Sequence, residues 1–115
     1  MTHRTRLLLL TCLVLLGCTT HDLRSSLYDY AVLSQRSAEG LYQAIYAASR
    51  QGHIPPEILA DARLAYAQWS TAQALYLLGA EAGQLDAVSA HAMQAQVDRL
   101  AAIAREQGVH PWKSH

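Results

Sequence analysis

The sequence predicts an all-α protein: a small antiparallel three-helix bundle, up-down-up, behind a short N-terminal leader. Three observations carry this. Beyond residue 22, apolar and small residues return in alternating steps of four and three, the spacing of one helix face. Three such stretches each end in a glycine with an apolar residue within two positions: Gly52 with Ile54, Gly83 with Leu85, Gly108 with Val109. Only short connections, residues 52–57 and 83–86, separate the stretches, as antiparallel neighbouring helices require.

The leader comes first. Arg4 and Arg6 precede any acid, and the apolar run Leu7 to Cys18 comes next. A basic start, a short apolar run and a small residue at its end mark a secretory signal. The run is too short to cross a bilayer, which takes about 20 apolar residues. Its last four residues, Leu15-Leu16-Gly17-Cys18, resemble the lipobox of bacterial lipoproteins. That resemblance implies a thioether-linked diacylglycerol on Cys18, cleavage between Gly17 and Cys18, and acylation of the new amino terminus. A cysteine is required because its thiolate is the nucleophile. Residues 1–17 are then the signal peptide. Cys12 is the competing cysteine, but Thr11 stands before it where the motif wants Gly, Ala or Ser. Thr19, in place of the Asp that retains many such proteins, implies the outer membrane, facing the periplasm. The inner membrane is the alternative.

Cutting 17 residues from 115 leaves 98, enough for one domain. All nine acids stay while basic residues fall from nine to seven, a formal charge of −2. Nucleic-acid binding calls for a basic patch or stripe, so no nucleic-acid partner is expected. One cysteine survives and it is the lipidated one, so packing alone must stabilise the domain.

Residues 18–22 read as a short lipidated tether. The three-helix domain reads as 23–108. Helix one is expected over about 23–51, with Leu27, Ala31, Ser34, Ala38, Leu41, Ile45 and Ala48 on its inner face. Asp22, Ser25 or Ser26 suit its N-cap. Gly40 weakens a helix interior by up to about 1 kcal/mol relative to Ala, and close approach of another backbone would explain it. Gly52 then suits a left-handed C-terminal cap, and Pro55-Pro56 suits the start of a new helix. Helix two is expected over about 56–82, with Ile58, Ala62, Ala65, Trp69, Ala72, Tyr76 and Gly79 inward. Leu64, Leu75 and Leu78 make it apolar nearly all round, the mark of a helix buried between two others. Asp86 opens helix three, over about 87–107, with Val88, Ala92, Met93, Val97, Leu100, Ile103 and Ala104 inward. Residues 109–115, with Pro111 and Trp112, read as a flexible tail.

No catalytic set emerges, and the expectation is that the protein is not an enzyme. Beyond the leader the histidines are His21, His53, His91, His110 and His115; none pairs at i,i+4 with another His, so no metal site is expected. Asp29, Glu39, Asp61, Glu81 and Asp98 stand singly. The composition is tyrosine-rich and lacks phenylalanine: six Tyr, two Trp, no Phe. Tyrosine suits places with one wet and one apolar end. Bundle edges are the preferred reading; Tyr42, Tyr46 and Trp112 are the candidate partner contacts. No cofactor is expected beyond the covalent diacylglycerol and N-acyl chain on Cys18.

The sequence therefore reads as a small lipid-anchored envelope protein. Its helical domain would serve as a non-enzymatic structural or protein-interaction module, with an envelope protein or a second copy as partner. The alternative is a small lytic or membrane-perturbing lipoprotein of phage or toxin-like type. Against that stands the acidic charge after cleavage, since such peptides carry a basic polar face.

Overall fold

The structure, a computed structural model, describes the backbone of residues 2–111 and the side chains of residues 23–111. Three helices run in order: α1 (Thr2–Arg50), α2 (Pro56–Glu81) and α3 (Ala87–Glu106). Each packs on the other two, giving an all-α three-helix bundle with short connections. The helix start expected near Leu23 falls inside α1, and Ser25 and Ser26 are exposed mid-helix residues there, not caps. No glycine or proline lies between Cys18 and Gly40, so nothing in the sequence interrupts the i→i+4 ladder.

The α1 seam is as its spacing predicts. Leu27, Ala31, Ser34, Ala38, Leu41 and Ile45 are buried, and Ala48 is half-buried. From α2 come Ala62, Ala65, Trp69, Ala72, Tyr76 and Ala80; from α3, Ser89, Met93, Leu100 and Ala104. The core thus sets a few large side chains, chiefly Trp69, Tyr76, Ile45, Met93 and Leu100, among many alanines. Each large one stabilises the fold by about 1.5–3 kcal/mol through the apolar area it removes from water.

Two expectations about burial are corrected. Leu64, Leu75 and Leu78 are exposed, not sandwiched. In a triangle of helices each member faces two neighbours and keeps an outer face, so α2 buries only the Ala/Trp/Tyr side of its apolar surface. Val88 is exposed as well; the inward position in the first turn of α3 belongs to Ser89. Nor does another backbone approach Gly40: a methyl group there would meet nothing within 4 Å.

All three helix ends close alike. After α1, Gly52 (φ 78°) lets its N–H reach the Ser49 carbonyl at 3.0 Å while the His53 N–H reaches that of Ala48 at 3.0 Å. These are the paired bonds of a Schellman cap. Gln84 and Gly83 donate to Gly79 and Ala80 in the same way, and Val109 and Gly108 to Ala104 and Arg105. The caps differ in the apolar residue just beyond them. Ile54 is buried against the bundle, whereas Leu85 stands exposed. Pro56 begins α2 without a side-chain cap, its first turn drawing Ile58 and Leu59 N–H groups onto the Pro55 carbonyl. Asp86 caps α3.

Candidate functional site

The bundle is pinned by polar groups placed inside it. The Trp69 indole N–H donates to the Ser34 hydroxyl at 2.8 Å, buried between α2 and α1. About two turns further along α2, the buried Tyr76 hydroxyl donates to the Leu27 carbonyl at 2.8 Å. Burial, with Tyr30 as a lesser cause, pushes the Tyr76 phenol above its ordinary range. On the rim, Gln73 donates to Gln35 and Gln35 to Glu39, at 3.2 and 3.0 Å.

The aromatic residues form a ladder across the α1–α2 face. Tyr42 stacks on Tyr66 with centroids 4.9 Å apart, and Tyr66 lies 5.6 Å from Trp69. Tyr46 continues the stack at 6.4 Å from Tyr42, and the Arg50 guanidinium sits 5.9 Å over the Tyr46 ring. Such contacts add about 0.5–1.5 kcal/mol per ring pair beyond the area they bury. Of the candidate partner contacts, Tyr42 is half-buried and spends one face on Tyr66; Tyr46 is the exposed rung. Trp112 lies outside the described residues, and at Gly17 and Cys18 only the backbone is described. Burial and, less, the nearby Glu39 raise the Tyr66 phenol above its ordinary value. The i,i+4 spacing of Tyr42 and Tyr46 is visible in the sequence; the Tyr42–Tyr66 rung joins two helices and has no sequence signal.

Two surface depressions lie among the described residues. One, at the α1–α2 turn, is open to solvent and lined by Ser49, His53, Pro55, Leu59 and Arg63, with no carboxylate to orient the imidazole. The other lies between α1 and α3, lined chiefly by Ser37, Leu41, Val97, Ala101 and Ala104. His53, His91 and His110 are all exposed and lie on three different segments. Among the described residues no three metal-ligating side chains gather, and no helix is long and apolar enough to cross a membrane. Comparison of the chain with protein-family models, curated proteins and solved structures gives no match in any of the three.

The sharpest chemical asymmetry is along the bundle axis. The Arg24 guanidinium lies over Gly83, 3.7 Å from where a methyl group on that glycine would sit. The α2–α3 turn and the Leu23 stretch of α1 therefore share one end of the bundle. Leu23, Leu78, Leu85 and Val88 are all exposed there. The opposite end carries Arg50, His53, Glu57, Asp61, Arg63, Arg105, Glu106 and His110. Spacing alone assigns Leu78 and Val88 to the core, so sequence reasoning misses this surface.

Proposed function

We propose that the chain is a small lipid-anchored envelope protein whose three-helix domain works as a non-enzymatic structural or protein-interaction module at a membrane surface. One observation carries the reading: Leu15-Leu16-Gly17-Cys18 ends a short basic-then-apolar leader, where a lipoprotein needs its acylated cysteine. The fold is compatible with that role, since a bundle pinned by buried polar contacts offers rigid faces and a defined end. The outer membrane, facing the periplasm, is the proposed address, on the strength of Thr19. An envelope protein or a second copy is the proposed partner.

Labelling with radioactive palmitate tests the anchor. The wild-type chain and Cys12→Ser should incorporate label and fractionate with membranes, and Cys18→Ser should do neither. Label retained in Cys18→Ser overturns the reading.

A further inference from the structure

The apolar end of the bundle is also the end from which α1 leads back to Cys18. Relative exposure is 46% at Leu23, 65% at Leu78, 58% at Leu85 and 81% at Val88. These four come from all three helices and the turn between two of them, and form a ring in that sense; Val32, Leu33 and Leu75 are exposed farther along the bundle. In the sequence the charged neighbours of the ring are four: Asp22, Arg24, Glu81 and Asp86. The Asp86 carboxylate is engaged by the Ser89 N–H and hydroxyl at 3.1 and 2.8 Å. At the far end the corresponding stretches, 46–64 and 103–111, expose only Leu64 and Tyr46 among large apolar side chains.

We infer that this ring is a lipid-contact surface that seats the bundle end-on against the membrane holding Cys18. The inference rests on the reading of Cys18 as the acylated residue. Distance makes the case. Cys18 and Leu23 are five residues apart on a helical backbone, which is about 8 Å along the axis. Even fully extended, five residues reach only about 18 Å. The headgroup layer is itself about 5–8 Å deep on each side of the hydrocarbon. With the Cys18 sulfur at the glycerol level, that distance holds the ring at the headgroup layer, where apolar side chains begin to leave water. Lipid chains and an apolar protein surface are two membrane signals acting together, and two hold better than one. Arg24, the one cation of the ring, suits the phosphate level. The many-charged far end then faces the aqueous side.

Tryptophan scanning in protein purified from the membranes of cells that express the whole chain tests this. Leu78→Trp and Val88→Trp place a reporter in the ring, and Glu57→Trp places one at the far end; all three sites are exposed, and circular dichroism checks that the fold is kept. Each is reconstituted in vesicles of phosphatidylethanolamine and phosphatidylglycerol doped with a lipid brominated near the headgroup. The unsubstituted chain supplies the baseline for Trp69 and Trp112. Quenching above baseline in the two ring variants, with none at Glu57→Trp, is the expected result. Quenching equal at both ends, or absent from the ring, overturns the seat. So does a ring emission already blue-shifted without vesicles in a sample of dimer mass, because a second copy then covers the ring. Mass spectrometry of the residue-18 peptide separates the two ideas. An acylated Cys18 with an unquenched ring leaves the anchor standing and the seat refuted. An unacylated Cys18 overturns the anchor, and with it the seat against a membrane held through that residue, whatever the ring does.

Discussion

The Trp69 indole N–H and the Ser34 hydroxyl meet at 2.8 Å inside the α1–α2 interface, where neither has water to fall back on. Trp69 is the largest side chain in the core, and its one polar atom needs an acceptor from the facing helix. Ser34→Ala leaves that donor buried and unpaired, which costs about 1–3 kcal/mol. Urea unfolding monitored by circular dichroism should show a lower midpoint with an unchanged slope. A midpoint equal to wild type would mean that the bond adds nothing net.

Tyr76→Phe removes the bond to the Leu27 carbonyl and should cost about 1 kcal/mol. It should also change the alkaline limb of stability. The folded-state phenol is raised by burial and by Tyr30. The folded protein therefore holds this proton more tightly than the unfolded chain does. Its contribution is complete below the unfolded value of about 10 and is lost as pH rises through the folded value. Thermal midpoints between pH 8 and 11 should fall less steeply in Tyr76→Phe than in wild type.

Two helical glycines should respond to alanine with opposite sign. At Gly40 there is open space, so Gly40→Ala should stabilise by up to about 1 kcal/mol through backbone entropy alone. At Gly79 the new methyl would lie 3.0 Å from the Gln84 carbonyl oxygen, a backbone atom held in place by the Gln84 N–H bond to the Gly79 carbonyl at 2.9 Å. Gly79→Ala should lose more from displacing that turn than it gains in helix propensity, so its melting temperature should drop while that of Gly40→Ala rises.

Asp86 should govern part of the acid limb. The Ser89 backbone N–H, and then its hydroxyl, hold the Asp86 carboxyl below its ordinary value. A depressed carboxyl stabilises the fold above its unfolded value of about 3.9, and that contribution is lost as pH falls through the folded value. Asp86→Asn keeps an N-cap acceptor but does not titrate, so its stability between pH 2 and 5 should show a shallower pH dependence. An acid limb identical to wild type would rule out this role.

The fold class was legible because its signals are local. The four-three spacing from Leu27 to Ile45 is a property of one helix, and so are the glycine stops at Gly52, Gly83 and Gly108. What spacing could not say is how wide each buried face is. Leu64, Leu75, Leu78 and Val88 are apolar at plausible helical positions, yet their exposure depends on how the other two helices sit around them. The Tyr42–Tyr66 rung and the Trp69–Ser34 bond likewise join residues 24 and 35 apart in sequence, beyond the reach of any local pattern. Of the proposed site, only Cys18 and its leader had a sequence signature. The apolar end had none, because its members are single residues from separate helices brought together by chain reversal.

The Trp69 indole donor makes the alignment of α1 on α2 unique. An alanine-rich seam repeating every seven residues is nearly indifferent to a slip of one heptad, since Ala31 and Ala38 look much alike to a neighbour. Trp69 is not indifferent: sliding α1 by seven residues either way replaces Ser34 with Leu27 or Leu41, and the N–H is stranded in hydrocarbon. One hydroxyl among methyl groups thus acts as a registration mark. It forbids the neighbouring alignments that the rest of the seam would tolerate, and it fixes how far Cys18 stands from every other part of the domain.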